Sequence, residues 1–573
     1  FESYKSAIDE VGKINAARNL SNGVSIKISA LHPRYEMRKI NQIESELLPK
    51  LKELVNYAQS KDVEITIDAE EQDRLSLSLH IIEKLAYEKN IRDWPGFGIA
   101  LQAYGKRSFD VIHWLNGILD KRDGVHLRLV KGAYWDYEIK HAQVSGYEGY
   151  PVFSKKSLTD IAYLACAKEI FKNKKIFPKF ATHNAHTISS IHHIGKDFNY
   201  EFQRLYGMGE LLYKSASEVL GIKNNPSVYA PIGSYKDLLP YLVRRLLENG
   251  ANSSFINRLL DPDTNSEWLA ENPYIRVKSE KKEIPLPNQI FINRQNSSGM
   301  DISESENLEN LKNRLIDFDD KLIDAKSIYE GREEDNKNVE KIFSISSKKE
   351  IGTVVFDNPK NIKQSLTKSL KTTWSNTSPN ERSEILNKIA NNIEEEPYEL
   401  IYFLINEAGK TIQNAIDEIR EAVDFLRYYS NQILKISDAS DLEGPTGEEN
   451  LITYTSKGRF LCISPWNFPV AILIGQISAA LACGNKVIVK PSEHTSILGY
   501  LVVKKFHELG IPKDALELIL GDGSYGETLT KISPLHGVAF TGSLKTAKSI
   551  QVNLLESQKQ IVPLIAETGG INA

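Results

Sequence analysis

The sequence predicts an α/β chain of two units in series: a (β/α)8 barrel lacking its first strand, then an open, doubly wound parallel sheet. Three observations carry this. Seven short strand-like runs alternate with long amphipathic helices within residues 1–261, and alternation this dense implies a parallel sheet wrapped by helices. A polar, charged, proline-containing stretch at 262–349 reads as a linker. Strand and helix then alternate again, most cleanly at the carboxyl end of 350–573, in the pattern of an open sheet with helices on both faces.

At 573 residues the chain has room for several cores. A net charge of −4 argues against a general nucleic-acid surface, which needs Lys and Arg in excess on one face. There is no run of about 18 uncharged apolar residues, no signal peptide and no lipidation signal, so a soluble, cytoplasmic chain is expected. Cys166, Cys462 and Cys483 are widely spaced. They fit a reducing compartment, exclude a disulfide framework or a paired-cysteine metal site, and are each expected as small buried hydrophobes; no metal is expected. The chain opens on Phe1 and closes on Glu567-Thr-Gly-Gly-Ile-Asn-Ala573 without a polar tail or closing helix, and reads as a fragment truncated at both ends.

Taken in order, Tyr4, Ala7, Ile8, Val11, Ile14 and Ala17 have helical spacing, and Asn22-Gly23 stops that helix. Strands are expected at Val24–Ala30, Ile65–Ala69, Phe97–Gln102, Val125–Val130, Lys179–Thr182, Tyr200–Leu205 and Val228–Ile232. A closed barrel of this type has eight strands, so the first is expected before Phe1. Function in such barrels lies at the carboxyl ends of the strands. Polar residues gather there: Lys27, Asp68, Gln102, Arg128 with Lys131, Thr182 with His183, Gln203 and Tyr229. One such residue is an ordinary satisfied polar group; one at each of seven successive strand ends points to a site.

The stretch His126 to Asp136, HLRLVKGAYWD, sets two cations at the end of a buried strand, followed by Gly132, Tyr134 and Trp135. Buried cations need an anionic partner, which is either an internal carboxylate or an anionic, planar ligand. Further on, Tyr241 to Gly250 reads as a helix ended by its glycine. Arg244 and Arg245 point about 100° apart on it, so one can fork a carboxylate while the other reaches another acceptor, with Glu248 one turn on.

The segments SIKISALHPRYE, IDAEEQDRL, LQAYGKR, RLVKGAYWD, ATHNAH, VYAPIG and YLVRRLLENGANSS, in that order, closely resemble the proline dehydrogenase domain of the proline utilization A family, from the first residues to about Asp261. The resemblance implies a TIM-like barrel that binds FAD non-covalently and oxidises L-proline to Δ1-pyrroline-5-carboxylate. Electrons would pass to a membrane quinone through a peripheral contact, and the full-length protein would be a homo-oligomer. By the same resemblance Lys27, Arg244 and Arg245 hold the proline carboxylate, Asp68 lies by the substrate amine, and Leu205, Tyr229 and Tyr241 pack around the ring. Gln102 and Arg128 would contact the isoalloxazine, and Lys131, Trp135, Thr182, His183 and Glu248 the rest of FAD. His183 also has a plain alternative as a core histidine.

One helix is expected within the linker, near Leu308 to Tyr329. Ser378-Pro-Asn-Glu381 is a capping box with proline at the first helical position, opening a helix through Ile385, Ile389 and Ile393, and two more helices cross Tyr398 to Leu434. Ala408-Gly-Lys-Thr411 suggests a phosphate loop but fails, because Leu404 and Ile405 stand where its first glycine belongs. Strands follow at Phe460–Ile463, Lys486–Lys490, Leu516–Leu520, Gly537–Phe540 and Val562–Ala566. Gly521-x-Gly523-x-x-Gly526 follows one of them, yet the acidic residue a dinucleotide fingerprint wants about 20 positions on is missing.

Pro465-Trp-Asn-Phe-Pro469, Lys490-Pro-Ser-Glu493, Phe540-Thr-Gly-Ser543 and Glu567-Thr-Gly-Gly570 resemble the NAD-binding half of the aldehyde dehydrogenase superfamily. This implies a partial, Rossmann-like domain of a glutamate-semialdehyde dehydrogenase. Lys490 and Glu493 would bind the adenosine ribose, Ser543 would meet the pyrophosphate, Asn467 would supply an oxyanion donor and Glu567 the general base. The superfamily's cysteine nucleophile lies some three dozen residues further on, so these residues alone are expected to bind NAD weakly or not at all and to oxidise no aldehyde. Two other readings remain open at this stage: a non-redox, phosphate-binding barrel enzyme, and a truncated trifunctional member that also represses transcription.

Overall fold

The computed structural model describes residues 1–236, 238–239, 241–243, 271–280, 284–336, 338–356, 372–438 and 440–569. The chain divides into two units, Phe1–Val144 with Gly149–Leu286 and Ile302–Ser305, and Ser145–Glu148 with Pro287–Asp301 and Glu306–Ala573.

In the first unit seven strands run parallel in sequence order: β1 (Gly23–Ile26), β2 (Glu64–Ile67), β3 (Phe97–Gln102), β4 (Val125–Val130), β5 (Ile176–Ala181), β6 (Glu201–Leu205) and β7 (Ser227–Tyr229). Among the described residues β1 and β7 are its edges. Helices return the chain between strands. The helix Ile40–Ser60, for example, buries Ile43, Leu47, Leu51, Leu54, Val55 and Ala58 along one stripe. Each of these Ile, Leu and Val side chains contributes roughly 1.5–3 kcal/mol when fully buried. β4 is buried along nearly its whole length, as a strand covered on both faces must be.

The register explains how polar groups share the sheet. Ser25, Thr66, Gly98 and His126 stand level on neighbouring strands. Gly98 is obligatory there, since a Cβ would lie 1.9 Å from the His126 ring. Across it the His126 Nε2 meets the Thr66 Oγ1 at 3.1 Å. Burial beside Lys179 and Arg128 holds His126 neutral, its pKa lowered to about 3. One pleat further on, small Ala100 stands level with Arg128.

Strand limits differ from the sequence expectation where loop bonds intervene. The first strand stops at Ile26 because Ile28–Leu31 winds into a 3-10 turn, held by Ser29 N–H to Glu70 Oε1 (2.9 Å) and Ala30 N–H to the Lys27 carbonyl (3.1 Å). The fifth strand begins earlier than expected and the seventh ends earlier. The helix expected over 241–250 lies beyond the described residues after Val243.

The second unit holds β8 (Ile323–Lys326), β9 (Ile328–Tyr329), β10 (Arg332–Glu333), β11 (Val339–Phe343), β12 (Glu350–Val355), β13 (Ser440–Leu442), β14 (Asn450–Ile452), β15 (Arg459–Ile463), β16 (Lys486–Lys490), β17 (Leu516–Leu518), β18 (Gly537–Thr541) and β19 (Leu564–Glu567). Its main sheet has the order β10-β9-β17-β16-β15-β18-β19, with the last five strands parallel. Those five therefore read third, second, first, fourth, fifth, the doubly wound order, and the order reverses between β15 and β18. Leu461, Ile488, Val538, Phe540, Ile550 and Leu554 lie in its core.

Residues 262–349 are more than a connector: β8 pairs with β12, and β9 joins the main sheet beside β17. The helix expected near 308–329 is Ser305–Ile316. Beyond it Ile323 and Ala325 are buried while Asp324 is exposed, an alternation that makes strand, not helix. The expected capping box is present, Ser378 accepting from Glu381 N–H at 3.2 Å and Glu381 from Ser378 N–H at 3.0 Å. Cys166 and Cys462 are buried, but Cys483 is exposed, because it ends the helix Ala471–Ala482 instead of lying on its buried stripe.

Candidate active sites

At the carboxyl face of the first sheet, β1, β2, β4 and β7 and the loops after them bring the expected residues together. Arg128, buried at β4, donates to Asp68 and to Ser25 Oγ (3.0 Å), and its guanidinium lies 5.2 Å from the centre of the Tyr229 ring. The Tyr229 hydroxyl donates to Asp68 Oδ2 at 3.4 Å. Burial pushes the Asp68 carboxyl above its usual range, while Arg128 and the Tyr229 hydroxyl pull it back. Burial also raises the Tyr229 phenol, with the Asp68 charge adding to the rise. Lys27, partly exposed, sits 3.7 Å from Glu70 Oε2 and 5.9 Å from the centre of the Tyr134 ring. Lys131 donates to Asp160. Of the two partners the sequence left open for the cations of HLRLVKGAYWD, the internal carboxylate is present for both. Arg128 spends two of its five N–H groups on these contacts among the described residues, so donors remain for a ligand.

Gln102 works in the scaffold: its Nε2 donates to the Glu70 carbonyl (2.7 Å), and its Oε1 accepts from Ala133 N–H (3.3 Å). Thr182 accepts from Asn184 N–H through Oγ1 (3.2 Å), and its carbonyl from the Tyr213 hydroxyl (2.9 Å). His183 Nε2 accepts from Leu205 N–H at 3.0 Å, tying the ends of β5 and β6. Trp135 Nε1 donates to the Phe153 carbonyl at 2.9 Å. Leu205 and Tyr241 are partly buried. Arg244, Arg245 and Glu248 lie outside the described residues.

This donor set fits a flavin: a guanidinium with spare N–H groups and a carboxamide end adjacent strands, suited to a ring rich in acceptors, with Lys131 just beyond β4 to meet a phosphate. The sequence reading missed Glu70 and Glu138. Glu70 is buried between Lys27 and Arg74. Glu138 lies on the buried stripe of the helix Trp135–Ser145 beside Ile139 and Ala142, and an acid on such a stripe was its only sequence signal.

In the second unit the candidates sit at the carboxyl ends of four neighbouring strands. Asn467 lies exposed in the loop after β15, and Lys490 ends β16. Ser543 follows β18 and caps the helix Leu544–Ser557 by accepting from Thr546 N–H at 3.1 Å, and Glu567 ends β19, exposed. Where the strand order reverses, Gln476 Nε2 donates to the Ile463 carbonyl (3.3 Å) and to Thr541 Oγ1 (3.1 Å), stapling β15 to β18. Open parallel sheets bind ligands at such a reversal. Lys490 is buried; its Nζ donates to the Pro491 carbonyl (3.0 Å) and lies 3.8 Å from Glu493 Oε2. Burial lowers its pKa, opposed by Glu493 and Asp522. A donor and an acceptor so close fit a ribose diol. The glycines at 521, 523 and 526 follow β17, away from the reversal; there Asp522 caps its own helix by accepting from Ser524 N–H at 2.8 Å, so this is not the dinucleotide turn.

The family model for proline dehydrogenase matches residues 1–258, and that for the aldehyde dehydrogenase family residues 332–573. The bifunctional protein PutA of Salmonella typhimurium and that of Escherichia coli are each 41% identical to the chain over 599 aligned positions, covering 100% of this chain and 44% of theirs. A solved structure of proline utilization A with proline bound in remote sites superposes with a TM-score of 0.88 at 39% identity, covering 100% of this chain and 56% of that one. The chain thus spans less than half the length of these curated relatives.

Proposed function

The chain belongs to the proline utilization A family, and from that premise we propose that its first unit oxidises L-proline to Δ1-pyrroline-5-carboxylate, and that its second unit is the NAD-binding part of the glutamate-semialdehyde dehydrogenase that completes the conversion to glutamate. The observation that carries the first half is the cluster of Asp68, Arg128 and Tyr229 at the carboxyl ends of β2, β4 and β7.

Oxidation removes a hydride from the proline ring and leaves a cation on its nitrogen, so the protein must fix the ring and favour positive charge at one point. Gln102, Arg128, Lys131, Trp135, Thr182, His183 and Glu248 would hold FAD, which would supply the hydride acceptor when bound. Lys27, Arg244 and Arg245 anchor the substrate carboxylate. Tyr229, Tyr241 and Leu205 enclose the ring and limit its size. Asp68 faces the amine, where its ionised form favours the developing cation. Arg128 keeps Asp68 ionised despite burial and presents its remaining donors to the flavin. Electrons leave to a quinone by a peripheral membrane contact; no helix among the described residues is long and apolar enough to cross a membrane. A cytoplasmic homo-oligomer completes the reading for the full-length protein.

The test is anaerobic addition of L-proline to the flavin-bound chain, which is expected to bleach the flavin absorbance. The ionised form of Asp68 is the active one and burial has raised its pKa, so the bleaching rate should fall with decreasing pH before the ordinary carboxylate value of 3.8 is reached. A flavin band untouched by proline would overturn the reading; a rate level down to that value would remove Asp68 from its role. In the second unit, Lys490→Met is expected to weaken NAD binding roughly tenfold or more, the worth of one charged hydrogen bond, in a calorimetric titration. Equal affinity in the variant would take Lys490 out of the site.

A further inference from the structure

Glu138 is 2% exposed, one turn into the helix that follows β4. Its Oε1 accepts two hydrogen bonds, from Gln72 N–H at 2.8 Å and from the Tyr104 hydroxyl at 3.3 Å. Gln72 lies in the loop after β2, four residues beyond Asp68, and Tyr104 in the loop after β3, two residues beyond Gln102. The Tyr104 ring in turn packs on Gly132, four residues beyond Arg128: a Cβ there would come within 2.5 Å of the ring, and the backbone has φ +135°. Gln102 ties the same three loops through the Glu70 carbonyl and Ala133 N–H.

Burying an acid is costly, and the neighbours of Glu138 on its stripe are Ile139 and Ala142. Burial raises its pKa to about 7, eased by Gln72 N–H and the Tyr104 hydroxyl and aggravated by Asp73 and Glu71 of the β2 loop. An apolar residue would fill the position without that cost, so the bonds account for the carboxyl group.

We propose that Glu138 is a positioning residue for proline oxidation: with Gln102 it locks the loops after β2, β3 and β4 into the arrangement in which Asp68 and Arg128 meet the substrate. This rests on the proline dehydrogenase reading above. The role belongs to an acceptor oxygen at a fixed reach, not to a charge. Glutamine at this position would keep that oxygen and its reach; aspartate would keep the charge and fall one methylene short.

The experiment compares Glu138→Gln, Glu138→Asp and Tyr104→Phe in the flavin-bound chain. It measures flavin content, proline affinity and the limiting rate of anaerobic bleaching. Glu138→Gln should hold the limiting rate within about threefold, and Glu138→Asp should lower it at least about tenfold with proline affinity changed much less, since displacing reacting groups by about 1 Å costs up to 10²-fold. Tyr104→Phe removes the hydroxyl, and with it the bond to Glu138 and the one from the Tyr134 amide, without touching the acid, and should slow the step by about two- to fivefold, a modest part of the same misplacement. A Glu138→Asp variant as fast as Glu138→Gln overturns the proposal. So does an unchanged rate in Tyr104→Phe, even if the aspartate variant fails to fold. Failure of the unaltered chain to bleach overturns the activity itself and shows as a different result.

Discussion

Arg128→Met is expected to slow proline-driven flavin bleaching by about 10²- to 10³-fold, the range found when one preorganised donor is removed from a reacting centre. Methionine keeps much of the volume at the end of β4, so the sheet should hold. What disappears is the partner of Asp68, the bond to Ser25 and the cation over the Tyr229 ring. Among the described residues Asp68 then faces burial with the Tyr229 hydroxyl as its remaining close donor, and its already raised pKa should rise further. The residual rate of the variant should therefore begin to fall at a higher pH than in the unaltered chain. Arg128→Lys tests the fork separately: a point charge can still pair with Asp68 but cannot reach Ser25 and Asp68 with two divergent N–H groups, so it should recover only part of the loss. Stopped-flow absorbance at saturating proline reads all three proteins, and a methionine variant within about fivefold of the original would show that Arg128 is structural.

The strands of the first unit were legible because a parallel sheet covered on both faces leaves nearly continuous apolar runs, as in Phe97 to Leu101 of β3. Their limits were less so, because β1 ends where Ser29 turns to bond Glu70, a contact with a residue 41 positions away. The cations at 128 and 131 could be read as needing anions. Which anions they find depends on register and on small residues between strands, such as Ala100 level with Arg128, and no local pattern encodes that. Glu138 escaped notice for the converse reason: its partners come from two other loops, and in sequence it is one acid among many. In the second unit the strand order, more than any glycine motif, marks the crevice proposed above for the nucleotide. The fingerprint-like glycines follow β17, which lies two strands from β15.

The segment Ala408-Gly-Lys-Thr411, excluded as a phosphate loop, supplies a cation to an internal acid, and removing that acid should have a large effect on the stability of the second unit. Lys410 Nζ lies 2.5 Å from Glu418 Oε2 and 3.9 Å from the centre of the Phe468 ring. The Glu418 side chain is 0% exposed, and its Oε1 accepts from Val470 N–H (2.8 Å) and Ala471 N–H (3.2 Å), where the helix Ala471–Ala482 begins. One carboxylate thus neutralises a nearly buried ammonium and satisfies two of the helix's unpaired amides. Glu418→Leu should lower stability by about 3–5 kcal/mol, because it leaves a buried charge without its partner. Adding Lys410→Met should recover much of this, since an apolar pair is tolerated where a lone charge is not. Recovery should stay incomplete by about 1–3 kcal/mol, the range for losing a buried amide's acceptor. Calorimetric melting of the full chain with both single variants and the double variant gives the coupling directly. A double variant no more stable than Glu418→Leu would mean that the helix amides, not the ion pair, dominate. A Glu418→Leu variant as stable as the original would mean that the loop carrying Asn467 is held by other contacts.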